Sequence, residues 1–220
     1  MCIIYNNFVY LHPNYLFIMM TKEEYQSFLQ QYDAQIGEIR QKAHDLHQSV
    51  NQTYGENLPY GFHLDMVAEG LRDYGHLVCA AEADILPLFF GAYFHDSIED
   101  ARLTYNDVKA AFERLNKECG CDIHVVDAAE MVYALTNDKG RTRAERAGEA
   151  YYAGIRETAH APFLKMCDRL ANMKFSTLFY PISPMVSVYE KELGHFLESI
   201  TKGAKTGVPE AMVEELKGMF

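Results

Sequence analysis

Four ionisable side chains follow directly on an almost wholly hydrophobic stretch, Leu86–Phe94. They are His95, Asp96, Glu99 and Asp100, and the second pair lies four residues after the first, on the same side of a helix end. Burying imidazole and carboxylate groups costs free energy unless they are paired or bound to a metal. This concentration at the end of a core helix suggests a functional site, although a capping network of carboxylates would explain the same residues.

A second group of polar side chains lies further along the chain. Asp168 and Asn172 are four residues apart in a stretch that otherwise buries apolar residues, so they face much the same way. Lys165 and Arg169 flank them. Taken alone, an aspartate between two cations is better explained as an ion-paired helix face than as a site.

His63 stands at the start of a predicted helix, after a long loop over Asn51–Pro59. The loop is indicated by a glycine, an asparagine and a proline within a few residues. A lone histidine in such a position is normally structural.

A basic cluster in this acidic protein consists of Lys139, Arg141, Arg143 and Arg146, against Glu145. Solvated charges at a helix start are the commoner explanation for such a cluster. The functional alternative is an electropositive rim that binds the remote phosphates of a nucleotide.

These residues are predicted to lie on an all-α bundle. Apolar residues recur at helical spacing from Thr21 onward, and strand signals are almost absent after that point. We therefore expect a single domain over residues 21–220 with about eight or nine helices. Five predicted helices have both ends indicated: Phe62–Ala80, Ala83–Ile98, Asp122–Leu135, Ala161–Phe179 and Ser183–Ile200. Four more have only a predicted start, at Thr21, Thr104, Thr142 and Val208.

Residues 1–20 are apolar and aromatic, with Pro13 in the middle. They have neither the basic start nor the small-residue cleavage site of a signal peptide. We expect an extension outside the main fold, with a short β-like arm around His12-Pro13-Asn14.

The composition restricts the partners. A chain of 220 residues with a net charge of −11 repels nucleic acid and anionic membranes, although a local cluster can still bind a small phosphorylated ligand. No apolar run reaches the roughly 20 residues that span a bilayer. The five cysteines include no Cys-x-x-Cys pair, which fits a reducing cytoplasm, with Cys119-Gly-Cys121 left as a chelating or redox alternative. We expect a soluble cytoplasmic protein with no nucleic-acid and no membrane partner.

The separated segments together follow the order H…HD…D, which resembles the HD superfamily of metal-dependent phosphohydrolases. The similarity is closest to RelA/SpoT-type alarmone hydrolases and their small stand-alone metazoan homologue, and it covers roughly residues 40 to 180. The segments are Pro59-Tyr60-x-x-His63 for P-Y-x-x-H, His95-Asp96-x-x-Glu99-Asp100 with Thr104 for H-D-x-x-E-D…T, Leu135–Lys139, and Leu164–Met173 for V-K-x-A-D-R-x-x-N-M.

The resemblance implies an all-α hydrolase that removes pyrophosphate from the 3′ position of (p)ppGpp. A divalent ion, usually Mn²⁺, would lower the pKa of a bound water, and Fe²⁺, Zn²⁺ or Mg²⁺ would also suit two imidazoles and two carboxylates. The implied metal ligands are His63, His95, Asp96 and Asp168. Glu99 and Asp100 would position or activate the attacking water, and the substrate-binding residues would be Asn172, Lys139, Arg141, Lys165 and Arg169.

Two positions depart from the family pattern. The basic pair that precedes P-Y-x-x-H is absent from residues 50–58, and Lys174-Phe175-Ser176 replaces the R-T that follows N-M. Tyr54 or Tyr60 could stack on a base instead. A phosphatase acting on a nucleoside monophosphate or on NADPH, and a non-catalytic nucleotide- or metal-binding module, remain alternatives. Residues 180–220 could cover the site, pack against a second copy in a homo-oligomer, or complete the core.

Overall fold

The computed structural model describes residues 9–12, 15–137, 141–179 and 183–220. Within these ranges the chain is an α-helical bundle, which confirms the predicted fold class. The helices are α1 Lys22–Gln31, α2 Asp33–Ser49, α3 Gly61–Tyr74, α4 Ile85–Phe94, α5 Tyr105–Glu118, α6 Val125–Leu135, α7 Arg143–Arg146, α8 Glu149–Glu157, α9 Ala161–Phe179, α10 Pro184–Thr201 and α11 Glu210–Lys217, with 3-10 turns at Gly75–Leu77 and Glu82–Asp84. Among the described residues, none of these helices has the length and apolar character needed to traverse a bilayer.

Two small antiparallel hairpins accompany the helices. Strands β1 (Val9–His12) and β2 (Tyr15–Ile18) form the predicted N-terminal arm, in a register that pairs His12 with Tyr15. Pro13 and Asn14, on which that prediction was centred, lie outside the described residues. Strands β3 (Thr53–Tyr54) and β4 (Leu58–Pro59) pair within the loop that precedes α3.

Four predicted helix starts lie where the sequence signals place them, whereas α4, α6 and α11 begin two or three residues later than predicted. Thr21, Thr104 and Thr142 each accept a hydrogen bond from a backbone N–H three residues on, and the acidic side chain there accepts one from the backbone N–H of the threonine. Ser183 caps α10 in front of a proline in the first turn. Local capping chemistry therefore fixes these starts.

Two predicted helices are each divided in two, so the described residues form eleven α-helices rather than the predicted eight or nine. The first break is at Tyr32, whose hydroxyl donates to Glu82 in a neighbouring 3-10 turn. The second is at Gly148, whose extended backbone (φ −82°, ψ 179°) separates the single turn α7 from α8. The cap at Thr142 therefore begins α7 alone.

Helix α4 is the hydrophobic centre of the bundle, and every residue in it except Pro87 is buried. Its aromatic rings pack edge to face on Phe112 of α5, with centroid distances of 4.8 Å for Phe90 and 5.1 Å for Phe94. A helix that is apolar all round must be surrounded by protein. The helix ends at Phe94, earlier than predicted, and the following residues continue in turns, with Asp100 N–H bonded to Asp96 O at 2.8 Å.

Helices α3 and α9 approach closely at Gly70. A Cβ atom added to Gly70 would lie 3.0 Å from Sγ and 3.2 Å from Cβ of Cys167, which is fully buried. Because a Cβ atom moves only with its backbone, the two helices would have to separate to admit another methyl group. The glycine thus sets the spacing of the two helices that carry His63 and Asp168.

We expect Gly70→Ala to destabilise the protein by about 1–3 kcal/mol, the usual cost of overpacking a core. Gly154→Ala on α8 is the matched control, because its Cβ atom would meet no atom within 4 Å. This control should be neutral or up to about 1 kcal/mol more stable. Urea unfolding measures both, and equal midpoints for the two variants would contradict the proposed close approach.

Candidate metal centre

His95 follows the last residue of α4 and is 3% exposed. Its Nδ1 lies 2.8 Å from the carbonyl oxygen of Ala92, one turn earlier. A carbonyl only accepts hydrogen bonds, so this contact places the proton of neutral His95 on Nδ1 and leaves the lone pair on Nε2. The Nε2 atom lies 2.8 Å from Oδ2 of Asp96.

His63 lies in the first turn of α3 and is 1% exposed. Its Nε2 atom is 3.3 Å from Nε2 of His95 and 3.4 Å from Oδ1 of Asp168. Two imidazole nitrogens at that separation need either a proton or a metal ion between them, because two lone pairs repel. The ring is stacked on Tyr54 of β3, at a centroid distance of 4.7 Å.

Asp168 lies on α9 and is held by two residues of its own helix. Lys165 Nζ donates to Oδ2 at 2.9 Å, and Asn172 Nδ2 donates to Oδ1 at 2.6 Å. The Asn172 amide is itself fixed by the hydroxyl of Tyr54, which donates to its oxygen at 2.8 Å. These contacts orient a carboxylate that is only 9% exposed.

His63, His95 and Asp168 each offer one ligand atom, and these atoms lie within 4.8 Å of one another. Asp96 adjoins the set, since its Oδ2 is 3.5 Å from Nε2 of His63. That oxygen also accepts a 2.5 Å hydrogen bond from the hydroxyl of Tyr60. Imidazole nitrogen and carboxylate oxygen are the donors that divalent transition metals and Mn²⁺ accept, so the residues fit such an ion.

The electrostatics of the centre favour a positive charge between the two imidazoles. Burial opposes the imidazolium form, but hydrogen bonds and charges from Asp168 and Asp96 raise the pKa of His63 to about 9. Burial likewise opposes ionisation of the carboxylates, yet Lys165 and the histidines hold the pKa of Asp168 below its usual range. Burial also opposes the charged form of His95, but the charge of Asp96 and its hydrogen bond raise the pKa of that imidazole as well.

The centre opens into a cavity of about 570 Å³. Glu99 and Asp100 line it, and Asn137 Nδ2 donates to Oε2 of Glu99 at 2.9 Å. Burial and the charge of Asp96 raise the pKa of Asp100. The lining residues are Tyr60, His63, Asp96, Glu99, Asp100, Asn137, Arg143, Arg146, Ala147, Tyr151, Tyr152, Lys165, Asp168, Arg169, Asn172, Tyr189, Glu192, His195 and Phe196.

The cations of the cavity differ in part from those predicted. Lys165 and Arg169 line it, but Arg141 does not, and its backbone N–H is bonded to Glu145. Lys139 lies outside the described residues. From the same basic cluster, Arg143 and Arg146 line the cavity instead. Their position depends on the break before α8, which the spacing of apolar residues did not indicate.

Two groups of residues have roles at the centre or in the cavity that the sequence did not indicate. Tyr54 and Tyr60 hold Asn172 and Asp96 through their hydroxyl groups, a role that only the folded β3–β4 hairpin and the start of α3 make visible. Tyr189 and Glu192 enter the cavity from α10. No local sequence pattern marks them, because the packing of α10 on α8 and α9 brings them there.

Comparisons of the chain with protein families, with curated proteins and with solved structures find no match.

We expect wild-type protein to bind one Mn²⁺ ion per chain and His95→Ala and Asp168→Asn to lose this binding, because each removes a ligand atom of the cluster. Titration calorimetry with Mn²⁺ measures the effect. His44→Gln is the control, since His44 is part-buried and paired with Asp65 at 3.0 Å, outside the cluster. Undiminished binding by both ligand variants would contradict the assignment.

His47 predicts a dependence of stability on pH. Its ring is stacked on Tyr60 at 4.6 Å, and neither ring nitrogen has a hydrogen-bond partner among the described residues. Burial lowers the pKa of His47 to about 4, from 6.5 in a model peptide. Between these two pH values the imidazole of His47 is protonated in the unfolded chain but not in the folded protein. The free energy of unfolding therefore falls as the pH decreases from about 6.5 to about 4.

We expect His47→Phe, which keeps an aromatic ring on Tyr60, to remove about 3 kcal/mol of this pH-dependent loss. His124→Gln is the control, because the side chain of His124 is 71% exposed. Urea unfolding between pH 7 and pH 4 measures the slopes. Identical slopes for wild type and His47→Phe would show that His47 does not resist protonation.

Proposed function

We propose that this protein is a metal-dependent phosphohydrolase of the HD type that acts on a small phosphorylated nucleotide. The observation that carries the proposal is the buried cluster of His63, His95 and Asp168 at a cavity that also presents arginine and lysine side chains. A metal cluster and cations in one cavity suit a substrate that brings phosphate to the metal. The motif order of the sequence supports the same proposal.

The residues that would hold the ion are His63, His95 and Asp168, with Asp96 beside them. When bound, a divalent ion such as Mn²⁺ acidifies water and withdraws charge from a phosphoryl group. Ala92 holds His95 in the tautomer that the role requires, and Lys165 and Asn172 orient Asp168. Removing the side chain of Lys165 or Asn172 is expected to weaken metal binding or activity.

Asp100 is the candidate proton acceptor for the attacking water. It lines the cavity, and its raised pKa makes it more basic than an exposed aspartate. Glu99 lies beside it, oriented by Asn137. Tyr60 contributes by donating to Asp96, which keeps that carboxylate turned toward the histidines.

The specific substrate that we propose is (p)ppGpp, cleaved at the 3′ position. Water would attack the phosphorus bonded to the 3′ oxygen and the bond between that phosphorus and the 3′ oxygen would break, so that pyrophosphate carries the oxygen of the water and the 3′ oxygen takes up a proton to become a hydroxyl. A nucleotide with phosphates at two positions places one group at the metal centre and needs cations for the other. Arg143, Arg146 and Arg169 line the same cavity and meet that need.

A second substrate class is favoured by one observation about base recognition. Among the described residues, none from 50–58 lines the cavity, and Tyr54 is engaged by Asn172. The segment that holds the purine in the resembling family therefore supplies neither a cation nor a free ring here. A nucleoside monophosphate or NADPH, losing orthophosphate, is the alternative substrate of the same centre.

We expect Mn²⁺-loaded protein to convert ppGpp to GDP and pyrophosphate, with the activity lost in Asp168→Asn because a ligand is removed. Ion-exchange chromatography resolves the products. NADPH and a panel of nucleoside monophosphates are assayed in parallel. Orthophosphate from one of them, without cleavage of ppGpp, would support the second substrate class. Nucleotide binding without turnover under any metal would contradict hydrolysis altogether.

We expect Asp100→Asn to lower kcat by about 10²–10⁴-fold, the usual contribution of a general base. Mn²⁺ affinity should change little, because Asp100 is not among the clustered ligand atoms. Glu130→Gln is the matched control, since Glu130 contacts Tyr105 and does not line the cavity. Unchanged kcat in Asp100→Asn would remove Asp100 from the mechanism.

A further inference from the structure

Glu192 of α10 pairs with two arginines in the cavity wall. Its carboxylate accepts from Arg143 at 2.7 Å (Nε to Oε1) and 2.9 Å (Nη2 to Oε2). The second oxygen also lies 3.5 Å from Nη1 of Arg169. One carboxylate therefore neutralises an arginine of α7 and an arginine of α9, inside the cavity that the metal cluster faces.

Arg169 needs this partner because it is only 8% exposed. Its guanidinium lies between the rings of Tyr189, at 4.3 Å, and Phe196, at 4.2 Å. Within the described part of the chain, Glu192 is the carboxylate that forms an ion pair with it. A buried cation without a counter-charge is costly, so an anion must occupy this position.

The geometry of the pair with Arg143 is one that phosphate also adopts. Arginine binds carboxylate and phosphate alike through two parallel N–H···O bonds. Arg143 is half-exposed and the Glu192 side chain is 31% exposed, so a ligand in the cavity can reach the former and displace the latter. The carboxylate of Glu192 is therefore placed as the anion of a ligand would be, in a position from which another anion can displace it.

We propose that Glu192 is a built-in competitor, which occupies the Arg143–Arg169 pair until a phosphate group of the substrate replaces it. This inference rests on the proposed function for the identity of the substrate, but the exchange of anions itself needs neither a metal nor turnover. The carboxylate keeps Arg169 neutralised when the cavity is empty. It also makes the site selective, because a ligand must bind the arginines better than a tethered carboxylate does.

Selectivity follows from charge. A tethered carboxylate competes at a high effective concentration, so a singly charged ligand gains little by replacing it. A phosphate chain carries several charges and can engage Arg143 and Arg169 together, with Arg146 nearby on the cavity wall. The site is therefore expected to prefer pyrophosphate-like groups over single carboxylates or orthophosphate.

The test measures binding of inorganic pyrophosphate to metal-free protein by titration calorimetry. Glu192→Gln preserves the shape of the side chain and removes its charge. We expect this variant to bind pyrophosphate about tenfold more tightly than wild type does, as removal of one like charge facing the ligand would give. The gain should shrink at high ionic strength. Glu149→Gln is the matched control, since Glu149 pairs with Arg156 and neither residue lines the cavity.

A second substitution tests whether the increase in pyrophosphate affinity depends on the arginines. Adding Arg143→Gln to Glu192→Gln should abolish the increase in pyrophosphate affinity. Equal affinity in wild type and folded Glu192→Gln, or a gain that survives the added substitution, would overturn the proposal. If Glu192→Gln does not fold, Glu192→Asp replaces it, because the shorter carboxylate keeps the charge but reaches the arginines less well. An affinity equal to that of wild type would again overturn the proposal.

This experiment separates the inference from the proposed function. Tighter pyrophosphate binding by Glu192→Gln, together with no hydrolysis of any nucleotide, would support competition by Glu192 and contradict the proposed hydrolase function. Nucleotide hydrolysis by the wild type, with unchanged pyrophosphate affinity in Glu192→Gln, would support the hydrolase function and contradict competition by Glu192.

Discussion

The burial of two imidazoles and the Asp168 carboxylate, beside the end of an apolar helix, is the constraint on which the rest of the structure depends. Helix α4 is the most hydrophobic part of the bundle, and His95 follows it without a break. Such groups are stable there only if each has a partner or shares a cation. The hydrogen bond of His95 with the Ala92 carbonyl and the ion pair of Asp168 with Lys165 meet this requirement.

The surrounding elements follow from the same requirement. Helix α3 must place His63 within 3.3 Å of His95, and α9 must place Asp168 within reach of both. The small residue at position 70 lets α3 and α9 approach closely enough. The β3–β4 hairpin stacks the ring of Tyr54 on the imidazole of His63. Helix α10 places Glu192 in the cavity wall, where its carboxylate neutralises Arg143 and Arg169.

Local rules predict most of the fold, because capping boxes and apolar spacing are short-range properties, whereas the metal ligands remain a prediction from the order of the separated motifs. The start of α5 at Thr104 and the whole span of α9 agree with the sequence prediction. The breaks at Tyr32 and Gly148 do not, since they depend on a distant hydrogen bond and on a backbone conformation. Similarly, the sequence points to His63 and Asp168, but not to Glu192, whose place depends on how α10 packs.

The most direct test of the metal-centre account is anomalous diffraction from crystals of the protein soaked in Mn²⁺. The account predicts a manganese peak between Nε2 of His63, Nε2 of His95 and Oδ1 of Asp168, within coordination distance of all three. Retention of the direct 3.3 Å contact between the two histidines, with manganese absent or bound elsewhere, would contradict it.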